Sequence, residues 1–179
     1  MMKSCELPVG TGHMTFEGFK MHPGLREAYD ACFAFAEGEA DFSFLTLWSD
    51  TGRGKTHLGI AVVRRWLARQ IPARYAYVPL LLEELRRGFR VEGDMSYERR
   101  FDFYLNVPLL MLDDLGVESS TRWVQEKLDT IIDHRLMNNL STLVTTNLTM
   151  DDLNFRIASR LQRRNSKVIV IDAPEFVEG

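Results

Sequence analysis

The chain has 179 residues, of which 45% are hydrophobic and 26% are charged, and its formal net charge is -3. This length and apolar content predict a single globular domain with a buried core. The slightly acidic balance excludes a protein that binds nucleic acid through its overall charge, although local basic zones remain candidates.

Neither a targeting segment nor a membrane segment is evident in the sequence. The N-terminus lacks the apolar run of a signal peptide, and no apolar run approaches the roughly 20 residues that span a bilayer. The two cysteines, Cys5 and Cys32, lack the spacing of metal ligands, so a reduced compartment is the simpler interpretation. We therefore expect a cytoplasmic protein without a membrane partner.

Charge is unevenly distributed along the chain. Residues 1–50 carry 3 basic and 8 acidic side chains, whereas residues 53–100 carry 11 basic and 5 acidic ones. Residues 154–167 carry 5 basic side chains and no acidic one. These two basic zones are candidates for contact with nucleic acid.

The N-terminal segment, residues 1–23, has the composition of an extended arm, because glycine and proline interrupt it and no helical period develops. Phe16 and Phe19 are its aromatic anchors. They either fasten the arm to the core or form a wall for the adenine of a nucleotide. Apolar spacing over residues 25–37 then predicts a helix that ends near Gly38.

The next stretch has the order of a phosphate-binding loop. An apolar run at residues 44–48 predicts a strand, and a glycine-containing loop leads from it into a helix over residues 55–70. Glycines let backbone N–H groups turn toward an anion, and the helix N-terminus adds further donors and the positive end of its dipole. The predicted phosphate-binding residues are Ser49, Asp50, Thr51, Gly52, Arg53, Gly54, Lys55, Thr56 and His57.

Within this loop, Lys55 is expected to contact the β- and γ-phosphates, and Thr56 to supply a hydroxyl ligand for Mg²⁺. Ser49 departs from the usual pattern, which has glycine at the first position. A positive φ at that position would strain the serine. A chance glycine turn between a strand and a helix is the alternative interpretation.

Residues 74–78 predict a second strand, and Pro79 starts a helix that ends near Gly88. Cations and rings then interleave up to residue 104, a composition that suits single-stranded nucleic acid. The alternative is an amphipathic helix from about Ser96, with rings inward and arginines in solvent. The candidate nucleic-acid contacts are Arg86, Arg87, Phe89, Arg90, Arg99 and Arg100.

An unbroken apolar run at residues 109–112 predicts a central parallel strand that ends in Asp113 and Asp114. Ligands of open α/β sheets bind at this carboxyl edge. Asp113 is therefore expected to hold Mg²⁺, and Asp114 to orient the attacking water with a low pKa. The alternative is two acids in a solvated turn before Gly116.

The last third of the chain repeats the alternation of helix and strand. Helices are predicted over residues 121–139 and 150–164, and strands over residues 140–146 and 168–171. Asn147 follows the first of these strands and is either a turn residue or an amide that reaches the γ-phosphate or the attacking water. The later helix carries Arg156 and Arg160 on one face, either as solvated charges or as an arginine finger toward a neighbouring subunit.

These elements predict an α/β fold in which a five-stranded parallel sheet lies between helices, as in a three-layer P-loop NTPase. We expect one domain over residues 24–179, preceded by the arm.

The motif order is similar to the AAA+ core of DnaC/DnaI-type helicase loaders, with DnaA initiators and IstB transposition helpers as relatives. The likeness extends over residues 14–172. It rests on the sequences Gly-Arg-Gly-Lys-Thr-His-Leu (52–58), Leu-Leu-Met-Leu-Asp-Asp-Leu-Gly (109–116), Thr-Thr-Asn (145–147) and Arg-Ile-Ala-Ser-Arg-Leu (156–161).

The resemblance implies a protein that binds ATP with Mg²⁺ and assembles on a hexameric replicative helicase and single-stranded DNA. Gly52, Gly54, Lys55 and Thr56 then match Walker A, and Asp113 and Asp114 match Walker B. Asn147 matches sensor 1, and Arg160 matches the arginine finger, with Arg156 as its companion. In such loaders the insert near the second core helix often contributes to binding of single-stranded DNA, which favours residues 86–100.

The same resemblance leaves the partner open. Loaders usually carry a separate domain that grips the helicase, whereas only 43 residues precede Phe44. Since the chain ends soon after the fifth strand, no helical lid domain is expected. The alternatives are an IstB-type helper that serves a transposase, and a nucleotide switch with little turnover.

Overall fold

A computed structural model describes residues 7–88, 97–117 and 121–174. The helices are α1 (Arg26–Glu37), α2 (Lys55–Ala68), α3 (Val78–Gly88), α4 (Tyr97–Asn106), α5 (Arg122–Met137) and α6 (Phe155–Leu161). The strands are β1 (Phe44–Trp48), β2 (Ala73–Tyr77), β3 (Leu109–Asp113), β4 (Ser141–Thr146) and β5 (Ser166–Val170). A single 3₁₀ turn at Thr11–His13 precedes them.

The five strands form one parallel sheet in the order β2-β3-β4-β1-β5. This confirms the predicted α/β architecture of a P-loop NTPase. Both neighbours of β4 carry a motif predicted from the sequence, because β1 leads into the glycine loop and β3 ends in Asp113. In a parallel sheet all carboxyl ends lie along one edge, so this order brings the glycine loop, Asp113 and Asn147 together.

Apolar side chains cover both faces of the sheet. Leu45, Leu47 and Met111 pack with α1 and α2 on one face, and Leu110 and Val144 pack with α3, α4, α5 and α6 on the other. Every residue of β3 is buried, as expected for a strand covered on both sides. The result is a three-layer domain in which helices flank the sheet.

Gly59 shows how closely α2 approaches the sheet. A Cβ atom at this position would overlap the Met111 side chain of β3. The glycine therefore lets the first helix after the loop lie directly on the central strands, although glycine in a helix interior costs about 1 kcal/mol relative to alanine.

One predicted helix is shorter than expected, for a local reason. The predicted helix over residues 150–164 is only Phe155–Leu161, because Asn154 caps it by accepting from Arg156 N at 3.0 Å. A turn precedes the cap, and in it Thr149 Oγ1 accepts from Asp152 N at 3.2 Å. Helix α4 agrees with the helical alternative for the segment after Ser96, but Arg100 is buried rather than in solvent.

Arg135 is a fully buried guanidinium on α5. It donates to the backbone carbonyls of Tyr104, Leu105 and Val107 at the end of α4, to those of Pro108 and Ser141, and to the Thr142 hydroxyl. Burial lowers its pKa to about 9, so it remains a cation at neutral pH. One side chain thus satisfies the backbone where α4 turns into β3 and where β4 begins.

Among the helices in the described part of the chain, none combines the length and the apolar character needed to cross a bilayer.

Candidate functional site

A cleft of about 570 Å³ lies at the carboxyl edge of the sheet. Residues 51–57 of the glycine loop line it, together with Asp114 and Asn147 from the ends of β3 and β4. Residues of the N-terminal segment, including His13 and Phe19, line its mouth. A cleft of this volume falls within the range of small-molecule sites.

The glycine loop is built for close backbone approach. Gly52 and Gly54 have φ values of 73° and 83°, a left-handed conformation that residues with a Cβ rarely adopt. Gly54 also lies close to the Phe19 ring: a Cβ atom at Gly54 would stand 3.1 Å from the nearest ring carbon. Since α2 begins at Lys55, its unpaired N-terminal N–H groups and the positive end of its dipole lie at this cleft. This arrangement suits phosphate.

Ser49 fits the loop without the strain that a positive φ would bring. The non-glycine residues with positive φ in the described part of the chain are Gln70, Asp114 and Asn139, and Ser49 is not one of them. Its hydroxyl accepts from Lys55 Nζ at 2.9 Å and donates to the carbonyl of Asp50 at 2.9 Å. The condition under which strain was expected, a positive φ, is therefore not met, and the serine hydroxyl adds an acceptor for Lys55.

Lys55 is buried, and its ammonium has four acceptors. It donates to Ser49 O at 2.8 Å, Ser49 Oγ at 2.9 Å, Asp50 O at 2.8 Å and Asn147 Oδ1 at 2.7 Å. Burial lowers the pKa of Lys55, while the nearby carboxylates of Asp114, Asp113 and Asp50 act in the opposite direction. Lys55 thus places a partly desolvated positive charge at the floor of the cleft.

Asp113 is 3% exposed and accepts from three hydroxyl groups. Thr56 Oγ1 lies 3.0 Å from Oδ1 and 3.3 Å from Oδ2, Thr145 Oγ1 donates to Oδ1 at 2.7 Å, and the Tyr75 hydroxyl donates to Oδ2 at 2.8 Å. The prediction that Thr56 and Asp113 meet at one point therefore agrees with the geometry. Sequence reasoning missed Tyr75 and the contact of Thr145 with Asp113; the two residues lie on the strands that flank β3.

Asp114 adopts a left-handed conformation with φ of 59°. Its backbone N–H donates to Thr145 Oγ1 at 2.9 Å, and its carboxylate accepts from Asn147 Nδ2 at 3.3 Å. Burial and the neighbouring Asp113 raise the pKa of Asp114, against smaller opposite effects of Lys55 and Asn147. The expected low pKa is wrong, because the turn carries this carboxyl into the cleft rather than into solvent.

These groups fit an ATP–Mg²⁺ complex. Backbone amides and an ammonium suit phosphates, while a carboxylate with an adjacent hydroxyl supplies the oxygen ligands that Mg²⁺ prefers. Within the described ranges, no group of three or more His, Cys, Asp or Glu side chains could hold a metal by itself.

The N-terminal segment contacts the glycine loop at the cleft through a hydrogen bond and a ring contact, both made by His57. His57 Nε2 donates to the Thr15 carbonyl at 2.9 Å, and the Phe19 ring lies edge-on to His57 at 5.1 Å between centroids. Phe19 is therefore a candidate wall for a nucleotide base. Phe16 is not, because it is 5% exposed and packs against Tyr29 and Phe33 in the core. The predicted division of the chain into an arm over residues 1–23 and a domain over residues 24–179 stays a prediction.

Arg160 and Arg156 do not line this cleft. Arg160 Nε contacts Asp133 Oδ1 at 2.8 Å, and its terminal nitrogen contacts Asp129 Oδ1 at 2.7 Å. The Arg160 side chain is 18% exposed, whereas that of Arg156 is 77% exposed with a 3.9 Å ion pair to Asp129. Neither can act at the Lys55 cleft of its own chain, so a catalytic role would have to be played at the cleft of a neighbouring molecule.

The predicted nucleic-acid residues separate into different environments. Arg86 lies 4.9 Å over the Trp123 ring, Arg87 pairs with Glu83, and Arg99 is exposed on α4. Arg100 is 9% exposed and donates to Glu84 at 3.0 Å, which argues against it as a contact. The other two predicted contacts, Phe89 and Arg90, lie outside the described residues.

Helix α5 adds residues to this surface that the sequence did not single out. Lys127 Nζ lies 5.4 Å from the Tyr97 ring centre and 5.3 Å from that of Phe101, and these two rings stack at 5.4 Å. We call the group of Arg86, Tyr97, Phe101, Trp123 and Lys127 the basic-aromatic surface. It joins the end of α3, one face of α4 and the start of α5.

Comparison with known proteins gives relatives in DNA replication. The replicative helicase loader DnaI of Bacillus subtilis is 29% identical over 145 residues, which cover 75% of this chain and 46% of DnaI. The replicative helicase loader DnaC of Escherichia coli K12 is 26% identical over 125 residues, which cover 68% of this chain and 51% of DnaC. The chain thus spans about half the length of these two curated relatives.

A crystal structure of DnaI matches with a TM-score of 0.75 and 26% identity, and the match covers 97% of this chain and 95% of that one. The model of the family described as IstB-like ATP binding protein matches residues 30–159. That range contains the glycine loop, Asp113, Asp114 and Asn147. The fold, the cleft and this match together show that the chain belongs to the IstB-like family of ATP-binding proteins and has the AAA+ core of the helicase loaders.

Proposed function

We propose that the protein is an ATPase that binds ATP with Mg²⁺ and uses hydrolysis to control its assembly with a replicative DNA helicase and single-stranded DNA. The observation that carries the proposal is the convergence of Lys55, Asp113 and Asn147 at one sheet edge, with Lys55 Nζ 2.7 Å from Asn147 Oδ1. The names of DnaI and DnaC, both replicative helicase loaders, support the choice of partner.

The chain's own residues divide the chemistry among them. The loop amides and Lys55 bind the phosphates, and Thr56 and Asp113 hold the Mg²⁺, which supplies charge neutralisation when bound. Asp114 orients the attacking water, and its raised pKa brings it nearer to the range of a general base. Asn147 contacts both Lys55 and Asp114 and is expected to contact the γ-phosphate or the attacking water.

Self-association would give a catalytic role to Arg160 and Arg156, which lie away from the cleft of their own chain. Arg160 is expected to reach the cleft of a neighbouring molecule as an arginine finger, with Arg156 beside it. Asp129 and Asp133 hold the Arg160 side chain in one place on the surface of α5. An ordered guanidinium loses less conformational entropy when it contacts a phosphate than a mobile one does.

The basic-aromatic surface supports single-stranded DNA as a ligand. Single-stranded nucleic acid binds where bases stack on rings and cations contact phosphates. This surface combines the two kinds of group, with Arg86 and Lys127 lying over partly buried rings. Lys127→Ala is expected to weaken binding of single-stranded DNA and to reduce the slope of log affinity against log salt by about 1. Arg26→Ala on α1, which removes an exposed cation that lies outside both basic zones and 3.8 Å from Asp30, is the control.

The second candidate is an IstB-type transposition helper, which the family match favours. Its partner would be a transposase and its ligand duplex DNA. Comparing single-strand and duplex affinity at one salt concentration separates the two. Tighter binding of the single strand, with capture of a replicative helicase in the presence of ATP, supports the loader. Preference for duplex and no capture in either nucleotide state contradicts it.

ATP turnover is tested separately from DNA binding. Phosphate release is measured with and without single-stranded DNA, and Asp114→Asn serves as the inactive control. Turnover that DNA stimulates supports the ATPase. Tight ATP binding without turnover in either condition favours a nucleotide switch and contradicts the proposed hydrolysis.

A further inference from the structure

In the described part of the chain, Asp113 accepts from three hydroxyl groups, and one of them, that of Tyr75, lies on β2. Its hydroxyl donates to Asp113 Oδ2 at 2.8 Å, whereas Thr145 on β4 donates to Oδ1 at 2.7 Å. Each oxygen of this carboxylate thus has a donor from a different neighbouring strand. Thr56, at 3.0 and 3.3 Å from the two oxygens, approaches from the glycine loop.

The sheet register explains how Tyr75 reaches this position. Strands β2 and β3 pair in parallel with Tyr75 beside Met111 and Tyr77 beside Asp113. Tyr75 and Tyr77 share one sheet face because strand side chains alternate. The ring of Tyr75 spans the two-residue offset and brings the phenol to the carboxylate.

Arg74 shows that the neighbouring position on the same strand serves another purpose. Its side chain lies on the opposite sheet face, where it pairs with Glu84 at 3.7 Å and lies over the Tyr104 ring. The contact between Tyr75 and Asp113 therefore lies on the sheet face that α1 and α2 cover.

We propose that Tyr75 is a positioning residue that orients the Asp113 carboxylate for Mg²⁺ and thereby sets the Mg²⁺ concentration at which the cleft binds ATP tightly. The proposal rests on the function proposed above. Carboxylates that bind metals are themselves held by hydrogen bonds, and loss of such an outer partner typically costs 10- to 100-fold in metal affinity or activity. Tyr75 and Thr145, one on each oxygen, fix the plane of this carboxylate.

The test measures ATP affinity by direct titration at increasing Mg²⁺ concentrations and in EDTA, without any hydrolysis readout. Tyr75→Phe removes only the phenol oxygen. Tyr77→Phe is the matched control, because it removes the same atom from the same strand and face, and no hydrogen bond joins Tyr77 to Asp113 within the described residues. If Tyr75→Phe does not fold, Tyr75→Met replaces it, since this flexible apolar side chain also lacks the phenol oxygen that makes the 2.8 Å contact.

We expect Tyr75→Phe to need roughly tenfold more Mg²⁺ for half-maximal tightening of ATP binding, with unchanged affinity in EDTA. In an Asp113→Asn background the same substitution should have no further effect. A Mg²⁺ requirement within twofold of that of Tyr77→Phe, with ATP binding intact, overturns this inference alone. Failure of the wild-type chain to bind ATP in any condition overturns the proposed function itself.

Discussion

Lys55 and Asn147 lie 92 positions apart in sequence, yet their side chains share a 2.7 Å hydrogen bond between Nζ and Oδ1. This bond joins the glycine loop after β1 to the end of β4, the strand next to it. Asn147 Nδ2 in turn contacts Asp114 at 3.3 Å, so one amide connects the residue expected to bind phosphate with the residue expected to orient water. A phosphate that binds Lys55 must therefore displace the Asn147 amide from the ammonium or share the ammonium with it.

The first prediction concerns Lys55. Lys55→Ala is expected to weaken ATP binding by about 100-fold, because a hydrogen bond to a charged group is worth about 1.5–3 kcal/mol and the ammonium also supplies charge at the cleft floor. Direct titration measures the affinity, and Lys167→Ala on β5 is the control for loss of one positive charge. Full ATP affinity in Lys55→Ala would show that the cleft is not the nucleotide site.

The second prediction separates binding from hydrolysis at Asp114. Asp114→Asn is expected to reduce turnover by at least about 100-fold, since general acid–base groups typically contribute that much, while ATP affinity changes little. Phosphate release under saturating ATP and direct titration check the two statements. An unchanged turnover would remove Asp114 from the reaction.

The raised pKa of Asp114 also leads us to predict that the stability of the folded chain depends on pH. Burial and Asp113 raise its pKa in the folded chain above the ordinary 3.8, so the folded state holds the proton over a pH window where the unfolded state has lost it. Stability due to this group therefore falls as pH rises through that window. We expect Asp114→Asn to melt at a higher temperature than the wild-type chain at pH 7, with the difference shrinking as the pH approaches 4. A constant difference across that range would contradict the pKa shift.

The parts of the site that lie next to each other in sequence were predictable, and those that depend on strand neighbours were not. The unbroken apolar run of β3 predicts both a buried strand and the place of Asp113, because the acids end the run. Tyr75 reaches Asp113 only through the register of β2 with β3, which no local pattern specifies. Thr145 was visible in the sequence, but its double role as donor to Asp113 and acceptor from Asp114 depends on the turn at Asp114.

The arginines show the same limit. The amphipathic period after Ser96 predicts that α4 exists, but not that Arg100 faces Glu84 on α3 rather than solvent. A one-residue difference in helical phase separates the exposed Arg99 from the buried Arg100. Composition alone therefore could not separate a candidate nucleic-acid contact from a structural ion pair.

The third prediction compares Arg160 with Arg156 on α6. Arg160→Ala leaves Asp129 and Asp133 without their shared cation on the partly buried face of α5, so we expect a loss of about 1–3 kcal/mol in unfolding free energy. Arg156→Ala, at a 77% exposed side chain, should change it by no more than about 0.5 kcal/mol. Urea denaturation measures both.

Self-association is the second readout for these two variants. Each should lower ATP turnover when mixed in excess with the wild-type chain, provided that the arginines act at a neighbour's cleft. Turnover that follows the wild-type fraction linearly would assign Arg160 a purely structural role.

The fourth prediction tests the buried guanidinium of Arg135. Arg135→Met is expected to cost about 3 kcal/mol or more, because the buried carbonyls of Tyr104 and Val107 lose the donors that Arg135 supplies, and each such group costs about 1–3 kcal/mol. Arg122→Met on the same helix, where the side chain is 93% exposed, is the control and should change stability by about 0.5 kcal/mol at most. Arg135→Lys should fall between the two, since an ammonium donates three hydrogen bonds where the guanidinium donates five. Equal urea midpoints for Arg135→Met and Arg122→Met would mean that water or backbone shifts replace the lost donors.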